Sequence, residues 1–226
     1  MLRQPGSRTR VEDVYQQLKD DICQGRLVPG AKVNLGEFSK ANQVSLTVVR
    51  EAATRLASDR LLELSPQQGF RVWPLSIPDL LDLTRVRIEI ETLALRESIQ
   101  NADLGWEADL LAAHHRLEGA VNPAPGHPSG AWLEAHAEFH AAVASACTSP
   151  LLKRMRQQLF DSAELYRLWS ANAEPPKKRR QVAKEHAAIK DAAMKHDVDL
   201  VVRLSVEHIQ RTTDLLLKSE QAQVSA

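Results

Sequence analysis

Two periodicities, and the point where one gives way to the other, predict a mainly α protein in two modules. Over residues 1–73 apolar side chains recur at helical spacing three times and then alternate twice. That order, three helices and a hairpin, is the order of a winged helix-turn-helix. Beyond it the spacing is helical to the end of the chain, which predicts an all-helical antiparallel bundle. Aromatic residues are only 4% of the 226, which argues against a large β-sandwich.

The first helix is expected over 11–24, where Val11, Val14, Tyr15, Leu18 and Ile22 share a face and Gly25 supplies a stop. Pro29-Gly30 marks a turn, and a short helix follows over 35–41. Gln43-Val44 then leads tightly into a helix over 46–59. Ser45 is placed to cap it, because its hydroxyl can satisfy a free amide of the first turn. Val49, Ala53 and Leu56 form the buried stripe of that helix. Residues 61–64 and 70–73 read as strands, joined by a turn over 66–69.

Pro74 and Pro78 mark residues 74–79 as a linker, within which the first bundle helix begins. The helices of the second module are expected over 77–101, 104–121, 131–146, 150–171, 178–196 and 198–219. The chain thus divides into an arm (1–10), a winged helix-turn-helix (11–73), the linker, a helical domain (80–220) and a tail (221–226). The run PPKKRR, ending at Arg180, reads as a solvated loop and helix start rather than a second nucleic-acid patch.

Composition fits a globular protein, with 43% hydrophobic and 26% charged residues. The formal charge of zero is unevenly spread: residues 1–73 carry 11 Lys/Arg against 8 Asp/Glu, and the remainder 18 against 21. The first module is therefore the basic one, by a net +3. No apolar run is long enough to cross a bilayer, and the first residues lack the apolar core of a secretory signal. A cytoplasmic protein with no membrane partner is expected. Cys23 and Cys147 are far apart and outside any CxxC motif, so both read as small buried apolar residues in a reducing compartment.

The stretch VSLTVVREAATRL, from Val44, raises the question of function. Ser45, Thr47 and Arg50 occupy the early turns of a helix whose back is apolar, as a recognition helix in a major groove requires. Arg50 can meet guanine or phosphate bidentately. Gly69 lets the wing turn tightly, and Gln67, Gln68 and Arg71 are candidate phosphate or minor-groove contacts. A surface helix with a capping serine is the competing reading. These residues resemble the GntR superfamily of bacterial transcription regulators, whose pattern is matched by Pro29-Gly30, by Val44, Ser45, Thr47, Val49, Arg50, Glu51 and Ala52, and by Gly69-Phe70-Arg71-Val72. The family usually has Arg where this chain has Leu46 and Pro where it has Val48, so a different operator, or weaker reliance on that contact, is implied.

Eight histidines all lie beyond residue 113. His136 and His140 are four apart on one expected helix, and His186 and His208 lie on two others. Imidazoles on facing helices can hold a transition metal, although an i,i+4 pair is also a common surface feature. The region resembles the FCD ligand-binding domain of the FadR branch, in which three histidines bind Zn, Ni or a similar ion. His140, His186 and His208 match those three; His136 stands where the family more often has Asp or Asn, and adds a fourth nitrogen. His114, His115, His127 and His196 match no role and are expected to face solvent.

The same resemblance implies a small carboxylate effector beside the ion. Arg87 falls where FCD proteins place an arginine, with Arg156, Tyr166 and Arg167 as further candidates. Pairing of Arg87 with Glu91 along the helix is the plainer alternative for the first. Stretches such as GWEADLLAAHHRL and HAEFHAAVASAC resemble the glutarate-responsive repressors of this branch, which implies a short dicarboxylate. A homodimeric, metal-containing repressor on a palindromic double-stranded operator is the expectation, with an activator as the variant reading. A metal-dependent hydrolase using Glu138 or Glu185 as base is the rival, without any HExxH signature to support it.

Overall fold

The computed structural model describes residues 9–120, 129–171 and 181–224. Two compact units emerge, one of residues 1–76 with 164–169, the other of 77–163 with 170–226.

In the first unit α1 (Arg10–Cys23) begins at Thr9, whose hydroxyl accepts from the Glu12 amide at 3.1 Å. It ends before Gly25, which takes φ +72°. Val14, Leu18 and Ile22 form its buried face. Helix α2 (Leu35–Ala41) is capped by Asn34. Helix α3 (Leu46–Ser58) starts where expected, with Ser45 Oγ accepting from the Val48 amide at 3.3 Å. Val49, Ala52, Ala53 and Leu56 are fully buried against α1 and the hairpin. Tyr15 Oη donates to Asp59 at 2.8 Å and the Arg55 guanidinium stacks on the Tyr15 ring, tying α1 to the end of α3.

The hairpin is β1 (Leu62–Ser65) against β2 (Gly69–Val72), antiparallel, with Leu62 opposite Val72 and Leu64 opposite Phe70. Both strands lie one residue from the expected start: Leu61 belongs to the corner after Arg60 (φ +58°), and Gly69 (φ +82°) already pairs with Ser65. Residues 30–33 run along the outer edge of β2. The Gly30 amide donates to Val72 O, the Val72 amide to Ala31 O, and the Val33 amide to Phe70 O, at 2.8–3.0 Å.

The second unit holds α4 (Ile77–Gln100), α5 (Leu104–Gly119), α6 (Gly130–Val143), most of α7 (Pro150–Ala171), α8 (Val182–Ala193) and α9 (Val198–Val224). Asp103 and Ser129 cap α5 and α6. Leu95, Ile99, Leu110, Phe139, Val143, Ile189 and Val201 fill the core. Ser98 Oγ donates to Val143 O at 2.8 Å and accepts from the Ala146 amide at 3.1 Å, so α6 stops short of the expected 146 in a tight turn held by α4.

Helix α8 ends before the expected 196 because His196 adopts φ +54°. The His196 amide donates to Ala193 O and the Asp197 amide to Ala192 O, a left-handed cap made without glycine. Residues 178–180, and with them the PPKKRR run, lie outside the described residues, as do the first eight residues of the expected arm, Val121, His127 and the last two of the tail.

Three expectations are corrected. His114 does not face solvent: it is buried, edge-on to Phe139, because it sits one turn from both Leu110 and Leu117 on the apolar face of α5. Cys23 is only partly buried. Cys147 is buried but not merely apolar, since its thiol donates to Glu97 Oε2 at 3.1 Å. That bond and burial push the thiol's pKa up, burial first. His115 and His196 are exposed, as expected.

Candidate metal centre and nucleic-acid interface

His136 and His140 leave α6 one turn apart toward the interior, where α8 brings His186 and α9 brings His208. All four are buried, between 2% and 8% exposed. One nitrogen from each lies within 4.8 Å of the others, and the Nε2 atoms of His136 and His140 are 3.2 Å apart. The helices alone do not fix the rings; their neighbours do. His136 stacks on Trp132 with ring centres 4.7 Å apart, and Phe139 and Phe160 wall the cluster. His208 Nδ1 lies 2.9 Å from Glu185 Oε2, which directs Nε2 toward the cluster when Nδ1 carries the proton. Arg211 Nη1 approaches the other Glu185 oxygen at 3.6 Å.

Burial holds His140 well below the ordinary imidazole range, and positive charge on His136, His208, His186 and Arg156 would act in the same direction. The lone pair of His140 is therefore kept available. Four imidazole nitrogens with no carboxylate among them form a donor set suited to a divalent transition ion.

Beside the cluster, Arg156 of α7 donates to Glu91 Oε1 of α4 through Nε at 3.1 Å and Nη2 at 2.9 Å. Nη2 also donates to the carbonyl of His140 at 2.5 Å. Both side chains of the pair are 5% exposed. The expected helix-surface partner of Arg87, Glu91, is thus a buried partner of Arg156. Arg87 lies with Cζ 5.1 Å above the Phe160 ring, whose centre is 5.9 Å from His136 and 5.8 Å from His140. Tyr166 and Arg167 group with the first unit. The Tyr166 hydroxyl donates to Ser76 O at 3.3 Å, and Arg167 pairs with Glu164. Sequence reasoning placed Glu91 on the helix surface beside Arg87 and missed Trp132 and Phe160. Trp132 stands four residues before His136, a spacing that was open to inspection.

On the first unit Ser45, Thr47 and Arg50 are exposed along the early turns of α3. Gln67 and Gln68 are exposed at the hairpin tip, where Gln67 takes φ +64°. Gly69, at the base of the tip, has no atom within 4 Å of where a Cβ would stand. Its φ, not crowding, is what calls for glycine. Arg71 alternates with the buried Phe70 and Val72 and is half-buried: Nη1 donates to Gly30 O at 3.0 Å and so braces the loop against the wing.

Comparison with known proteins bears on both units. Residues 10–72 match the bacterial regulatory proteins of the gntR family, and residues 82–211 match the FCD domain. The chain is similar to the HTH-type transcriptional regulator BphR of Paraburkholderia xenovorans (strain LB400), 34% identical over 212 residues, 92% of this chain and 86% of that protein. It is also similar to the HTH-type transcriptional repressor GlaR of Escherichia coli (strain K12), 33% identical over 159 residues, 70% of this chain and 72% of that one. Among solved structures, E. coli McbR/YncC has the same fold, with a TM-score of 0.79 at 22% identity over 94% of this chain and 99% of that chain.

The hydrolase reading falls with these matches, and the two expected bases are otherwise engaged. Glu138 is exposed and paired with Arg116, and Glu185 is held by His208. Among the described residues no helix is long and apolar enough to cross a membrane. With gntR and FCD patterns covering nearly its whole length, the chain belongs to the GntR family of bacterial DNA-binding transcriptional regulators, in its FCD-domain branch, and is not an enzyme.

Proposed function

We propose that this regulator is a homodimeric cytoplasmic repressor that sits on a palindromic double-stranded operator and leaves it when a small carboxylate binds beside a divalent transition metal. The observation that carries the reading is the convergence of His136, His140, His186 and His208, buried and with ligand atoms within 4.8 Å. These four would hold the ion, and an all-imidazole set favours Zn or Ni over harder cations. Bound there, the ion supplies a Lewis-acidic position for a carboxylate oxygen.

Arg87, stacked over the Phe160 ring beside the cluster, is the residue that would fix the carboxylate bidentately. Arg156 holds Glu91 and the α6 backbone instead of ligand. Tyr166 bonds to Ser76 and Arg167 pairs with Glu164. A short dicarboxylate such as glutarate rests on the resemblance of the second unit to glutarate-responsive repressors.

On the operator, Ser45, Thr47 and Arg50 enter the major groove, while Gln67, Gln68 and Gly69 approach the backbone or minor groove. Two copies would read half-sites about one helical turn apart. The acid shifts the equilibrium only by the difference in its affinity for the bound and released conformations. Repression is the sign carried by the GlaR name.

The test combines elemental analysis of purified protein with mobility shifts on duplexes selected from a random pool. One Zn or Ni per chain, lost in His140→Ala, together with release from a palindrome by glutarate, bears the proposal out. Metal-free protein that still responds to the acid would overturn it.

A further inference from the structure

The outward face of α3 carries a residue that charge-based reasoning passes over. Leu46 is the first residue of the helix and is 44% exposed. Its neighbours on that side are Thr47, Arg50, Glu51 and Thr54, all exposed and all polar. The buried residues of α3 are Val49, Ala52, Ala53 and Leu56, and Leu46 stands at the edge of their stripe, three residues before Val49. Leu46 is not among the buried residues and leaves nearly half of its surface open beside that stripe. It stands one turn from Arg50 in the i,i+4 column, so the two project from the same strip of surface. Ser45 caps the turn through its hydroxyl, which fixes the backbone from which Leu46 departs.

A major groove offers one apolar group to such a side chain, the C5-methyl of thymine. Cytosine, adenine and guanine present only donors, acceptors and ring edges there. An exposed leucine at the mouth of the helix loses water against a thymine methyl, whereas facing the polar edge of a G·C pair it would strip water and return no hydrogen bond. The separation between residues four apart on a helix is about 6 Å along its axis. At about 3.4 Å per base pair, that puts the base facing Leu46 within about two pairs of the base or phosphate held by Arg50.

We infer that Leu46 is a specificity-determining residue that reads a thymine methyl in each operator half-site, next to the position held by Arg50. The inference rests on the DNA-reading role proposed for α3 and adds the chemistry of one base to it. A thymine replaced by uracil loses the methyl alone and keeps every hydrogen-bonding group, so the contact can be removed from the DNA side without disturbing the helix.

The experiment uses the full-length protein and an operator obtained by selection from a randomised duplex pool. Each thymine is replaced in turn by uracil, and affinities are measured for the wild type, Leu46→Ala and Leu46→Gln. At one thymine per half-site the wild type should bind the uracil duplex about fourfold more weakly, the effect of one buried methyl-sized group. Leu46→Ala and Leu46→Gln should bind thymine and uracil duplexes alike at that position, while keeping the wild-type circular dichroism. Wild-type binding that is indifferent to uracil at every thymine would overturn the inference and leave the DNA-reading role standing. Retention of the methyl effect in both variants would also overturn it. A pool that yields no bound duplex at all would instead bring down the operator reading, and this inference with it.

Discussion

The two units solve opposite problems with their polar residues. In the first, the described residues up to 76 bury only apolar side chains, from Leu18 and Val49 to Leu61 and Val72, and the residues proposed to meet DNA lie outside them on α3 and the hairpin tip. In the second, four imidazoles, Arg156, Glu91 and Ser98 are buried among Phe139, Leu95 and Ile189. A polar group on a surface can be changed without touching stability, but one inside cannot. Exposed residues of the first unit can therefore vary at little cost in stability, whereas the proposed ligand response of the helical unit would rest on residues that folding also needs.

The largest expected effect tests this directly. Arg156→Met strips the partner from a buried Glu91 and should lower the unfolding free energy by about 3–5 kcal/mol, read by denaturant unfolding. A loss below about 1 kcal/mol, the worth of an exposed pair, would mean that the interior tolerates the charge and that the contrast is overstated. Next comes the ion. Zn or Ni at a hundredfold excess over its Kd should stabilise metal-free protein by about 2.7 kcal/mol, and His140→Ala should abolish that shift. An equal shift in the variant would place the ion elsewhere.

Arg50→Ala examines the other side. Specific operator affinity should fall by about 1–3 kcal/mol with the unfolding curve unchanged, because the side chain is exposed and away from the core. A destabilised variant would break the comparison from the first unit's end.

The gentlest effect is graded. The pKa of His140 in the folded chain lies below 6.5, mainly through burial, and that of His114 is lowered by burial as well. Unfolded chain therefore takes up protons first. The stability linked to these neutral rings is complete above pH 6.5 and drains away as pH falls below it toward the folded values. Denaturant melts of metal-free protein across roughly pH 5–8 should show this decline, and it should be smaller in His140→Ala. A flat profile would count against buried neutral imidazoles.

How much of this was legible in the sequence differs between the units for the same reason. The helices of the first unit are written locally: Val14, Leu18 and Ile22 repeat, Ser45 caps, and Gly25 stops. The one-residue slip of the hairpin came from Gly69, whose left-handed backbone lies inside the pairing, not beside it. In the second unit the i,i+4 spacing of His136 and His140 shows a shared face, but nothing local brings His186 and His208 to it. That meeting was expected only from resemblance. Glu91 and Arg156 are 65 residues apart, and only their helices' packing pairs them. His114 was readable and misread, since the Leu110 and Leu117 that flank it by one turn already marked its face as apolar.

The segment 30–33, laced to β2, changes what the wing can be. A two-stranded ribbon standing alone is marginal in water. Here its base is sewn by the Gly30, Val72 and Val33 amides and clasped by Arg71, so the ribbon's persistence does not depend on what closes its far end. The exposed tip at 66–68 thereby stands on a mount that stays put, and a change of side chain there leaves the fastening at the base intact.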